Sequence, residues 1–294
     1  MPLTNGEYFE DINTIRHWIK IEGAEHKTRP LIVLHGGPGG NHYTFERTTG
    51  PHLSKERTVV YYEQRGCGRS EKPSCDTDYK WEQLISDFNE IILLLGVEKV
   101  DLLGYSFGGE LALELAYSLP EVINRLLLSA PSLIDLEIGK IVQIAGFMSI
   151  ADSHLLSKIN NMIQQGLSVS ELYNQIWNQV DTKTVDRLLF QNQKVARINR
   201  SFWEESQLIN TGLVSETLQN YPREVPLIKR LRDIQHETLI LTGIHDRNTG
   251  IPISNLIHRE LPNSRLQIFP NSAHFPDLEE TEGFVEAVLE FLKL

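Results

Sequence analysis

Residues 101 to 116 read DLLGYSFGGELALELA, and this stretch narrows the possible folds more than any other. A short apolar run ends at Gly104, a helical apolar pattern starts after Gly108, and Ser106 stands at the junction. Gly104-Tyr105-Ser106-Phe107-Gly108 is therefore G-x-S-x-G in a strand-turn-helix setting, the context in which that pattern presents a nucleophile. The glycines let strand and helix approach closely, and the serine takes a strained conformation that pushes its hydroxyl outward. The plainer alternative is a serine that only caps the following helix.

Other runs extend the pattern. LIVLHGG (31–37), TVVYYEQRG (58–66), RLLLSAP (125–131), TLILTG (238–243) and LQIFPNS (266–272) are continuous apolar segments bounded by turn residues. Continuous runs, unlike alternating ones, suit strands buried on both faces. Helical patterns lie between several of them, as in residues 81–96 and 281–294, which implies a mostly parallel sheet flanked by helices. EYFEDI and RHWIKIEG, near the start, read as an antiparallel hairpin at the sheet edge.

From residue 133 to 222 strand runs are missing and helical segments follow one another. The expected division is a core made of residues 1–132 and 223–294, with a helical cap of 133–222 inserted after the sixth strand. A chain of 294 residues, 40% hydrophobic, is long enough for such a core plus an insertion.

A serine hydroxyl is a weak nucleophile until a base takes its proton and a third group orients the base. His274 follows the last strand run and Asp246 follows the one before it, so both are expected at the same sheet edge as Ser106. Among competing histidines, His35 belongs to another motif, His42 lies just past it, and His245 adjoins the acid with no strand logic of its own. Asp233 and Glu237 precede a strand run and belong at the opposite end.

The glycine-rich HGGPGG (35–40) follows LIVL and can turn backbone amides toward a carbonyl oxygen. Pro38 has no N–H, so Gly37 is the expected donor, paired with the N–H of Phe107. Neither G-x-G-x-x-G nor a phosphate-binding loop with its lysine fits here, which argues against nucleotide binding.

Together, HGGPGG, YYEQRGCGRS, GYSFGG, GIHD and SAHF resemble the α/β-hydrolase superfamily and, within it, the proline iminopeptidases, including the tricorn-interacting aminopeptidase of archaea. The resemblance spans both ends of the chain and skips mainly the helical insertion. It implies an α/β-hydrolase fold and release of an N-terminal residue, preferably proline, from short peptides through an acyl-enzyme. Ser106 would be the nucleophile, His274 the base, Asp246 its partner, and Gly37 and Phe107 the oxyanion donors. Gly36, Tyr105, Trp203 and Glu204 are expected at the substrate.

The match departs at three places. Glu63 stands where the family has aspartate in a segment read as a structural turn. Asn199 stands where many members carry a cap glutamate, and Arg247 follows Asp246 where others have glutamate. The last two changes remove carboxylates that hold a substrate's free amine. An esterase, lactonase or amidase acting on a small neutral acyl compound is therefore the alternative, and a ligand-binding signalling protein of this fold is a third reading.

The formal charge of −11 disfavours a nucleic-acid partner. No signal-like segment or membrane-length apolar run is visible, so the expectation is a cytoplasmic monomer or small homo-oligomer without membrane partners. Cys67 and Cys75 form no disulfide framework. No cofactor or metal is called for.

Overall fold

The computed structural model describes residues 3–208 and 213–293. Eight strands form one sheet in the order β1-β2-β4-β3-β5-β6-β7-β8. β1 (Gly6–Ile12) and β2 (Ile15–Glu22) are the expected antiparallel hairpin, and β2 pairs antiparallel with β4 (Val59–Tyr62). β3 (Leu31–Leu34), β4, β5 (Val100–Tyr105), β6 (Ile123–Ser129), β7 (Glu237–Gly243) and β8 (Ser264–Phe269) are mutually parallel.

The continuous apolar runs now have a physical explanation. Ile32, Leu34, Leu102, Leu126, Leu128 and Ile240 pack into one core cluster, while Leu31, Val33, Leu103, Leu127, Leu239 and Leu241 pack into another. Successive residues of a strand point to opposite faces, so alternate leucines of the central strands serve different cores, whereas the run on edge strand β8 leaves Ile268 exposed. Helices α2 (Trp81–Leu95), α3 (Phe107–Ser118) and α10 (Gly250–Glu260) contribute to the first cluster, and α12 (Thr281–Lys293) to the second. A short α1 (Gly50–Leu53) precedes β4, and α11 (Pro276–Glu279) lies between β8 and α12.

Between β6 and β7 the described residues hold no strand. They form α4 (Ile138–Ile150), α5 (Ser153–Gln164), α6 (Val169–Trp177), α7 (Thr182–Leu189), α8 (Gln193–Ser206) and α9 (Leu213–Asn220). α4 to α7 build their own small core from Ile144, Phe147, Ile159, Met162, Leu172, Ile176 and Leu188. Where the chain returns toward β7, Arg223 makes ion pairs with Glu110, Glu114 and Asp135, at 2.8, 2.7 and 2.5 Å. This buried cluster ties the returning segment to α3, the helix that starts directly after Ser106.

Candidate active site

Ser106 links β5 to α3 with φ 55° and ψ −119°. A side chain rarely adopts this region, and holding it there costs roughly 1–3 kcal/mol unless the surroundings impose it. They do so by close packing. A Cβ on Gly104 would lie 2.1 Å from the Gly108 carbonyl oxygen, and one on Gly108 would lie 2.0 Å from that of Leu34. The glycines of G-x-S-x-G are thus required by proximity of strand, turn and helix.

His274 follows β8 and is buried, with its Nδ1 3.2 Å from both carboxylate oxygens of Asp246. Asp246 also accepts from the backbone N–H of Asn248 (2.8 Å) and of Thr249 (3.2 Å), and from the Thr249 hydroxyl (2.8 Å). Burial alone would raise the pKa of Asp246, but the neighbouring His274 and these bonds overcome it and hold the carboxyl below its ordinary value. An ionised carboxylate is only an acceptor, so Nδ1 carries a proton and the ring's free lone pair is on Nε2.

A cavity of about 860 Å³ is lined by Gly36, Gly37, Tyr105, Ser106, Trp203 and His274, together with Asn199 and Asn248. It brings six of the sequence-predicted positions to one space. Gly37 is exposed at the cavity with φ 125°. Phe107 does not line the cavity: its ring lies in the core against Trp81, and its backbone N–H, the first of α3, has no acceptor within the helix. Glu204 departs from expectation. It is exposed and does not line the cavity, because on α8 the inward-facing positions are taken by Asn199 and Trp203. Its neighbour Glu205 accepts a hydrogen bond from Tyr43 at 2.8 Å.

The glycine-rich loop rests on the second motif. Gln64 donates its backbone N–H to His35 Nε2 (3.0 Å) and its side-chain amide to the His35 carbonyl (3.2 Å). The buried Glu63 carboxylate accepts from the His42 N–H (3.0 Å) and from the Arg69 guanidinium (2.6 Å). Glutamate in place of aspartate therefore still ties the turn to the loop that carries Gly37.

Residues 29–281 match the sequence profile of the alpha/beta hydrolase fold family. The chain belongs to the α/β-hydrolase family. This α/β-hydrolase is 27% identical to the proline iminopeptidase of Saccharolobus solfataricus over 97% of its own length and 92% of that protein's. It is 26% identical to the 2-hydroxy-6-oxo-2,4-heptadienoate hydrolase of Pseudomonas putida, covering 90% of each chain. Its fold superimposes on a proline iminopeptidase-related protein from Thermus thermophilus with a TM-score of 0.80, at 22% identity, covering 99% and 98% of the two chains.

Two residues at this hydrolase's cavity were not found from sequence. Asn248 donates from Nδ2 to His274 Nε2 at 3.0 Å. Asp277 lines the cavity from α11, is buried, and has an Oδ1 without a hydrogen-bond partner among the described residues. Burial pushes the Asp277 carboxyl up to about 7. The only sequence signal for either is nearness, two positions past Asp246 and three past His274.

Among the described residues no cluster of three or more His, Cys, Asp or Glu side chains forms a metal site, and no helix is long and apolar enough to cross a membrane.

Proposed function

We propose that this protein is a serine hydrolase of proline iminopeptidase type. The observation that carries the reading is the strained Ser106, opening onto the same cavity as a His274 whose other ring nitrogen is held by Asp246. Ser106 Oγ attacks the substrate carbonyl while His274 Nε2 takes its proton, and Asp246 stabilises the resulting imidazolium. The N–H groups of Gly37 and Phe107 receive the oxyanion, each such donor being worth ~3 kcal/mol of transition-state stabilisation. His274 then protonates the leaving amine, and water releases the acyl group by the reverse sequence. Residues 133–222 act as a cap over the cavity, to which α4 and α8 contribute wall residues.

Release of an N-terminal residue requires a carboxylate for the free amine. Among the described residues two carboxylates line the cavity, and Asp135 is already paired with Arg223. Asp277 is the one with an unsatisfied oxygen, and we assign it the amine. An incoming ammonium group would favour its ionised form.

A second reading is favoured by Asn199 and Arg247. Asn199 Oδ1 accepts from Thr44 at 3.2 Å, and Arg247 donates to Gln191 at 3.0 Å, so neither supplies negative charge. A neutral acyl substrate of an esterase, lactonase or amidase needs none. The test compares initial rates on a proline anilide with a free amine, its N-blocked counterpart and a short-chain nitrophenyl ester, with Ser106→Ala as blank. Preference for the free-amine anilide supports the peptidase. Turnover of the ester alone overturns it in favour of the second reading.

A further inference from the structure

His274 Nε2 has one in-plane lone pair, and in this structure Asn248 occupies it. With the Nδ1 proton on the Asp246 side, Nε2 is the acceptor and the Asn248 NH₂ is the end that donates to it. Among the described residues the Ser106 hydroxyl has no hydrogen-bond partner, although Ser106, Asn248 and His274 line one cavity. Removal of the serine proton requires that same lone pair. Asn248 and Ser106 are therefore mutually exclusive partners of the base.

We infer that Asn248 is a positioning residue that holds the Nε2 lone pair of His274 in the free enzyme and yields it to Ser106 when substrate enters. The inference rests on the serine-hydrolase reading above. The backbone of Asn248 is pinned by its own N–H to Asp246, so the exchange needs only rotation of the side chain and leaves the Asp246 contact to Nδ1 intact. The half-buried position at the cavity wall gives the amide room to turn toward an entering substrate, where it can donate to a carbonyl or hydroxyl instead.

The experiment measures inactivation by an alkyl fluorophosphonate, which needs no amine recognition. In that step Ser106 Oγ bonds to phosphorus, fluoride leaves, and the serine proton passes to His274 Nε2. Wild type, Asn248→Leu and Asn248→Ala are compared, with the modified residue identified by peptide mass mapping. Loss of one competing hydrogen bond is expected to raise the maximal inactivation rate by about five- to tenfold with the half-saturating concentration unchanged. In protein labelled with 15N-histidine, the Nε2 resonance of His274 should move toward that of an unbonded imidazole nitrogen in both variants.

Ser106 labelling at an equal or lower rate in the variants overturns the inference while leaving the serine-hydrolase reading standing. An Nε2 resonance in wild type that already matches an unbonded nitrogen overturns it as well, whether or not the variants fold. Wild type that is not labelled at Ser106 overturns the underlying reading and the inference with it.

Discussion

Phe190 stacks on Phe275, ring centroids 4.9 Å apart and planes 18° apart, so a residue just past α7 grips the residue that follows His274. The His274 N–H donates to the Leu189 carbonyl at 3.0 Å beside it. His274 is thus held by Asp246 from the core and by the helical block from the other side. Phe190→Ala should cost ~3 kcal/mol in urea unfolding, the usual range for a buried phenylalanine. It should also lower kcat more than it raises KM, because the base loses its support. A kcat equal to wild type would show that the stacking serves stability alone.

Ser106 separates chemistry from stability. Ser106→Ala should reduce hydrolysis by at least about 10³-fold, since the residual rate is that of the oxyanion donors and binding. Ser106→Gly should be equally inactive yet raise the unfolding free energy by about 1 kcal/mol, because glycine adopts φ 55° without strain. Thermal melts of the two proteins decide the point, and a Gly variant less stable than the Ala variant would refute the strain argument.

Asp277 predicts a pH-dependent difference. Its folded pKa is raised from 3.8 to about 7 because burial disfavours the charge. The stability linked to this group is complete below the unfolded value, near pH 4, and is lost as pH rises through 7. Asp277→Asn cannot ionise and should be the more stable protein at pH 8.5, by ~4 kcal/mol at most, with the advantage gone at pH 4. Denaturant midpoints at the two pH values test this, and an equal difference at both would remove the argument. On the free-amine anilide the same variant should lose far more activity than on the nitrophenyl ester.

Glu279 bridges the block and the base loop in another way. One oxygen accepts the Asn192 N–H at 2.6 Å and the other the Ala273 N–H at 2.7 Å, directly before His274. Glu279→Gln leaves one of those donors facing an amide NH₂, which should cost ~2 kcal/mol and loosen the loop. Hydrogen exchange at Ala273 and Asn192 is the direct readout, and unchanged protection at both would contradict the bridge.

Gly104→Ala would drive a methyl to within 2.1 Å of a backbone oxygen and 2.4 Å of its carbon, neither of which can move without shifting α3. The expected loss is about 3 kcal/mol, with turnover falling as Ser106 is displaced. A soluble Gly104→Ala protein of wild-type stability and activity would show that β5 and α3 can part enough to admit the methyl.

Local pattern and chain order determined much of this protein from sequence. Continuous apolar runs gave the central strands covered on both faces, though not edge strand β8, and G-x-S-x-G at a strand-helix junction specified the turn at Ser106. Strand ends then placed His274 and Asp246, because parallel strands deliver their following loops to one edge. Side-chain facing on α8 was beyond such reasoning. A periodic helix could present Glu204 or Asn199 inward, and only packing against the core put Asn199 and Trp203 at the cavity. Asn248 and Asp277 were likewise invisible, since a hydrogen bond to Nε2 and an unsatisfied buried oxygen exist only once distant segments meet. The sequence determined which groups are brought to this edge of the sheet. Tertiary structure decided which polar atoms are left for them to share, because partners and burial depend on contacts between residues far apart in the chain.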